Sequence, residues 1–238
     1  AEDGIRDDWL RLVGSEMCIR DRGRIGTIMA FKATDENEIE RINRLQRQLF
    51  DEIVHLFEPP LPEGVPERLE QIVAAADISA GEVVLDVGTG TGILIPLIQR
   101  RRPGRIYACD LSRKMLHKLR SNYAGVETVL SDVRDLDLPE KSIDAVFINA
   151  CYPNIADKDG AFKNLTRLMS PGGRLVISHP LGKSFIDTLR KTTTFPLDDF
   201  PVKPQAKKLL GLYGFSITTF IDKPQLYILV AVRQSYTA

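Results

Sequence analysis

The stretch VVLDVGTGTGIL, residues 83–94, places glycine at 88, 90 and 92 directly behind an apolar run that carries one carboxylate, Asp86. An apolar run ending in closely spaced glycines reads as a buried strand handing over to a turn. Glycine there lets the backbone approach a ligand closely, and the start of a following helix adds unpaired N–H groups. A dinucleotide turn needs GxGxxG, whose third glycine falls at position 93, and that residue is Ile93. A pyrophosphate-binding reading, and with it a nicotinamide oxidoreductase, is therefore disfavoured.

The elements that must hold this turn follow from periodicity. Residues 36–57 space Ile39, Ile42, Leu45, Leu49, Ile53 and Phe57 at three- and four-residue steps, which predicts an amphipathic helix that EPPLPEGVPE stops. A second helix is expected over about 66–76, with Pro66 in its first turn. Strand-like EVVLDVG, RIYACD, VETVLSD, IDAVFINA and GRLVISH then alternate with helical GILIPLIQRR, SRKMLHKLRSN and DGAFKNLTRLM. That alternation predicts an α/β fold with a doubly wound, mostly parallel sheet. FSITTFIDKPQLYILVAVR adds a C-terminal antiparallel hairpin around DKP, for seven strands in all. In such a sheet ligands bind at the carboxyl ends of the strands, where the strand order reverses, and the glycine turn lies at that place.

Composition narrows the partners. Lysine plus arginine and aspartate plus glutamate both number 32, so the formal charge is zero and nothing global attracts nucleic acid. The cysteines, Cys18, Cys109 and Cys151, are odd in number and form no CxxC, and no histidine cluster has zinc spacing; reduced thiols in a cytoplasmic protein without a metal are expected. The longest apolar run, LYILVAV, is far too short to span a bilayer. Residues 1–24 do not read as a signal peptide; LVGSEMCIRDR resembles a translated sequencing adaptor, and a floppy natural terminus is the other reading. The expected organisation is a disordered or non-native leader over 1–24, an N-terminal helical lid over 25–80, and a ligand-binding domain over 81–238.

LDVGTGTG, with three glycines directly after a strand ending in an acid, resembles motif I of the class I S-adenosylmethionine-dependent methyltransferases, and the resemblance extends over most of residues 80–230. It implies S-adenosylmethionine as cofactor, S-adenosylhomocysteine as product, and Asp86, Gly88, Thr89, Gly90 and Gly92 as the cofactor turn. In YACDLSRKML it implies that Asp110 accepts both ribose hydroxyls, with Leu111 and Met115 beside it; an acid at that spacing suits vicinal hydroxyls. In LSDVRDLDLP it implies that Asp132 accepts the adenine amino group, with Val133 behind. After the fourth strand, Asn149 and Ala150 match contacts to the methionine end, and Tyr152 would stand near the methyl group. PGG at 171–173 resembles the family's tight turn before the fifth strand. NACY, at 149–152, matches the NPPY of amino-methylating relatives at Asn149 and Tyr152 but lacks both prolines, which argues against adenine or glutamine N-methylation.

The strand-end motifs are most similar to the ubiquinone/menaquinone C-methylase-like group. This implies transfer of a methyl group to an oxygen, carbon or sulfur nucleophile of a small molecule, by a monomer or homodimer. An RNA or protein methyltransferase and a non-catalytic S-adenosylmethionine-binding protein are the alternatives. A phenol, acidic carbon or thiol needs a base, and histidine suits neutral pH. His179, after the fifth strand, is the favoured base; His55 on the first helix is a second candidate, and His117 belongs to a solvated helix face. The stretch 181–214, rich in Phe, Pro and Leu, is expected to supply part of an apolar substrate cover.

Overall fold

The computed structural model describes residues 35–57, 60–191 and 193–235, so the leader expected over 1–24 lies outside the described residues. Asp35 caps the first helix, α1 (Glu36–Glu52), by accepting the Asn37 N–H at 3.0 Å. The periodic stretch expected as one helix to 57 breaks at Ile53 and tightens into a 3-10 turn, Val54–Phe57. Helix α2 (Val65–Ala75) follows. The chain then runs β1 (Val83–Val87), α3 (Ile95–Gln99), β2 (Arg105–Asp110), α4 (Arg113–Asn122), β3 (Glu127–Leu130) and β4 (Ile143–Asn149). It ends with α5 (Lys158–Leu168), β5 (Met169–His179), α6 (Phe185–Arg190), α7 (Lys203–Gly211), β6 (Phe215–Lys223) and β7 (Leu226–Arg233).

The seven strands form one sheet in the order β3-β2-β1-β4-β5-β7-β6. Strands β1 to β5 are parallel, and β7 runs antiparallel between β5 and β6, so the expected doubly wound sheet with a terminal hairpin is the fold. Both faces are covered, which is why the central strands read as near-continuous apolar runs. Alternate residues sort cleanly: Leu85, Val87, Val146, Ile148 and Ile177 pack with Phe162 and Leu165 of α5 and Leu210 of α7. Val84, Ile106, Ala145, Phe147 and Val176 pack with Leu69, Ile72 and Val73 of α2 and Ile95 and Ile98 of α3.

Two expected boundaries shift. The helix after the glycine turn begins at Ile95 rather than Gly92, with Pro96 in the first turn, where its missing N–H has no partner to lose. The PGG segment is not a turn preceding the fifth strand but lies inside β5. Pairing with β4 jumps from Ile143↔Met169 to Ala145↔Arg174, Gly172 takes φ +80°, and the surplus residues bulge. No helix among the described residues is long and apolar enough to cross a membrane.

Strand β1 has β2 on one side and β4 on the other, so the chain's progression across the sheet reverses there and opens a crevice at the carboxyl ends. At the opposite edge Arg174 fixes α2 to the sheet: it donates to the Ala76 carbonyl at 2.9 Å and the Asp77 carbonyl at 3.1 Å, and pairs with Glu82. Hydrogen bonding from Arg174 holds the Glu82 carboxyl below the usual carboxylate range. Arg174→Ala is expected to lower the unfolding free energy by about 2 kcal/mol, read as a lower urea midpoint at unchanged slope. Because Glu82 has its lowered value only when folded, its share of that stability is present above about pH 4.3 and is lost as pH falls through the lowered folded value.

Candidate functional site

The glycine turn leaves β1 with positive φ at Gly88 (+63°), Gly90 (+56°) and Gly92 (+92°). The glycines meet different constraints. A Cβ on Gly88 would overlap the Cys151 side chain, and one on Gly92 would stand 2.9 Å from the Tyr123 ring, whereas one on Gly90 would meet nothing within 4 Å. Gly90 therefore faces open space, and the other two are held by packing. The Gly88 and Thr89 N–H groups both donate to the Cys109 carbonyl, at 2.8 and 3.1 Å. Asp110, at the end of β2, completes the turn: one carboxylate oxygen accepts the Gly90 N–H at 2.9 Å and the other the Ser112 N–H at 2.8 Å.

Behind the turn Asp86 is buried, 2% exposed, and accepts the Thr89 hydroxyl at 2.7 Å. Burial, with help from the nearby Asp110 charge and against the Thr89 hydrogen bond, pushes its carboxyl up to about 7. Burial also raises Asp110 and Asp132 above the carboxylate range, against the N–H groups that favour their ionised forms.

Helix α1 crosses the strand ends and is tied down along its length. Glu36 pairs with Arg134 at 2.5 Å, the Asn43 amide donates to Asp132 at 2.6 Å, and the Gln46 amide donates to the Asn154 carbonyl at 2.7 Å. Asp51 accepts the Ser112 hydroxyl at 2.5 Å and the Lys114 N–H at 3.2 Å. Sequence reasoning missed Asn43, Gln46 and Asp51. The available signal was that Asn43 and Gln46 stand within the apolar stripe of α1, and both are 3% exposed.

Between α1 and the sheet lies a cavity of about 240 Å³. Its floor is the polar strand-end surface: Gly88, Thr89, Gly90, Asp110, Leu111, Met115, Asn149, Ala150 and His179. Its walls are apolar, with Leu49, Phe50 and Ile53 on one side and Leu181, Phe185 and Leu197 on the other. A smaller cavity of about 50 Å³ around Asp132 and Val133 shares Gln46, Gly88, Asp110, Leu111, Cys151 and Asn154 with it. The loop after β4 is shaped for this. Ala150 holds φ +54°, its N–H donates to the Ser178 carbonyl at 2.8 Å, and the Asn149 side-chain oxygen accepts the Ser178 hydroxyl at 3.0 Å.

Three residues expected at the site line neither cavity: Asp86, Gly92 and Tyr152. Asp86 acts from behind through Thr89, and Gly92 makes room for Tyr123. Tyr152, 4% exposed, turns into the core through the 3-10 turn Tyr152–Asn154. There its ring stacks on Phe200 with centroids 5.6 Å apart, and the Lys158 ammonium stands 4.8 Å from its centroid. His55 and His117 are exposed and outside both linings. His179 lines the larger cavity; burial pushes its imidazole down to about 3, which disfavours the expected role as base, and its Nδ1 accepts the Leu181 N–H at 3.1 Å.

Residues 85–177 match the family model of a methyltransferase domain. The ubiquinone/menaquinone biosynthesis C-methyltransferase UbiE of Vibrio campbellii is 34% identical over 119 residues, 47% of this chain and 46% of that protein. Methyltransferase GfsG of Streptomyces halstedii is 27% identical over 171 residues, 66% of this chain and 62% of that one. The chain thus covers less than two thirds of the length of these relatives. Among solved structures, the Burkholderia thailandensis 1,6-didemethyltoxoflavin-N1-methyltransferase, bound to 1,6-didemethyltoxoflavin and S-adenosylhomocysteine, has a TM-score of 0.63 at 17% identity. It covers 89% of this chain and 94% of that one, a likeness of fold.

Asp86 supplies a prediction of defined sign. An acid raised only in the folded state binds more protons folded than unfolded, so stability declines as pH rises from about 4 to about 7 and stays lowered above that. Asp86→Asn keeps an acceptor for the Thr89 hydroxyl without the buried charge. In thermal unfolding without added ligand it is expected to exceed the parent by about 2–4 kcal/mol at pH 8, with the advantage disappearing near pH 4.

Proposed function

We propose that this chain is a class I S-adenosylmethionine-dependent methyltransferase that methylates a small, largely apolar acceptor molecule; the methyltransferase-domain match over residues 85–177 and the likeness to UbiE support that reading. The observation that carries this reading is the adjacency of the two cavities, which share lining residues from the glycine turn and the end of β2. One end is acidic and built on the glycine turn; the other is walled by aliphatic and aromatic side chains from α1 and from the segment after β5.

The donor set fits the cofactor. Two carboxylates stand at successive strand ends around a glycine whose Cβ position is open, which suits a cationic nucleoside derivative rich in hydroxyl and amino donors. In this reading Asp110 accepts the ribose hydroxyls beyond the backbone N–H groups it already takes, and Asp132 accepts the adenine amino group. Asn149 and Ala150 face the methionine end. When bound, the sulfonium supplies an electrophilic methyl carbon whose bond to sulfur breaks with the electron pair kept by sulfur.

What this chain contributes is confinement. The apolar walls exclude water and hold the acceptor against the polar floor, and orientation of this kind can supply several kcal/mol. Helix α1 and the 3-10 turn after it act as the lid in this reading, whereas α2 belongs to the wall of the sheet. A cavity with apolar walls and a balanced charge fit a small molecule better than RNA or a folded protein.

Calorimetric titration with S-adenosylmethionine, S-adenosylhomocysteine and NADH tests the cofactor end. The first two are expected to bind in the micromolar range and NADH not at all, and Asp110→Ala is expected to weaken S-adenosylmethionine by about 30-fold, the scale of lost charge-assisted bonds. Binding of NADH alone would overturn the reading. Release of S-adenosylhomocysteine in a screen of phenols, quinols and other apolar acceptors tests the transfer itself; cofactor binding with no release would favour a non-catalytic binding protein.

A further inference from the structure

We propose that His179 is a specificity-determining hydrogen-bond donor, presenting its Nε2–H to a carbonyl, phenolate or enolate oxygen of the molecule held in the apolar cavity. This deepens the preceding reading and rests on it, since it concerns the acceptor's place in the same cavity.

The argument begins with the fold. His179 ends β5, the turn after it places the Leu181 N–H 3.1 Å from Nδ1, and the Gly182 N–H donates to the His179 carbonyl at 3.2 Å. A backbone N–H always donates, so Nδ1 presents its lone pair and the neutral ring carries its proton on Nε2. The ring is fixed in that orientation. It is 3% exposed, with the Phe185 ring centroid at 5.3 Å and the Phe200 ring edge-on at 5.7 Å.

Nε2 makes no hydrogen bond among the described residues, yet it is not sealed. Arg233 Nε is the fully buried side-chain nitrogen or oxygen without a partner, and His179 lines the cavity. An unsatisfied N–H held against apolar walls is costly, and a ligand oxygen removes that cost. The neighbouring hydroxyls offer no substitute: Thr91 donates to the Phe57 carbonyl at 3.1 Å and Thr193 to the Leu189 carbonyl at 3.1 Å. Oxygen bound at Nε2 therefore sets which edge of a flat apolar acceptor faces the cofactor. The donor selects and orients.

The test uses the full chain saturated with S-adenosylhomocysteine and two isosteric probes, 2-acetylnaphthalene and 2-isopropenylnaphthalene, which differ by a carbonyl oxygen in place of a CH2. The ketone is expected to bind about tenfold more tightly, as one hydrogen bond implies. His179→Phe should abolish that preference while leaving the alkene's affinity within about twofold, and His179→Gln, whose amide N–H can stand in for Nε2–H, should restore part of it. Nitrogen-15 spectra of histidine-labelled parent protein give a check that needs no variant, with the proton of His179 expected on Nε2. Equal affinities for the two probes, a preference that survives in His179→Phe, or a proton on Nδ1 would each overturn the role of His179 alone. Binding of S-adenosylhomocysteine with neither probe would overturn the apolar-acceptor reading and this proposal with it.

Discussion

Both oxygens of the Asp110 carboxylate already hold backbone N–H groups, from Gly90 in the turn after β1 and from Ser112 at the cap of α4. That double clasp extends the backbone bonds from Gly88 and Thr89 to the Cys109 carbonyl into the loop that starts α4, and the rest of the site is arranged around it. The Ser112 side chain caps α4 through the Met115 N–H and also donates to Asp51, so the same joint anchors the roof helix. A carboxylate has about four lone-pair directions, and the backbone N–H groups around Asp110 do not take them all. The turn is thus shaped by the group that would also hold the ligand, and shape and recognition share one side chain.

Such an arrangement concentrates negative charge. Asp86, Asp110 and Asp132 lie at the ends of neighbouring strands, and burial raises all three above the ordinary carboxylate range. A cationic ligand relieves that strain, and Asn43 meets part of the need at Asp132 in the structure. The roof is therefore fastened by a polar contact to one of these strand-end acids, and its underside is apolar where it faces the larger cavity.

Much of this was legible in the sequence, because alternation of apolar strands and amphipathic helices has few folded solutions and the glycine spacing marks the switch point. The two carboxylates expected at the ends of β2 and β3 and the asparagine at the end of β4 line the two cavities. What escaped was decided across long separations. Asn43 looks like an interruption of a stripe until Asp132, 89 positions away, is seen to accept from it. Tyr152 sits at the expected position in the chain, but a 3-10 turn swings its ring into the core. His179 stands at the expected strand end, yet its role depends on a backbone N–H two residues on, which no side-chain pattern reveals.

The different constraints on Gly88 and Gly90 also carry a record of use. A descendant that ceased to bind a ligand here would keep Gly88, since the Cys151 side chain still fills the space beside it. Gly90 would answer only to its backbone angle, φ +56°, which asparagine tolerates. Of the two positions, only at Gly90 does the space beside the backbone depend on what occupies the cavity.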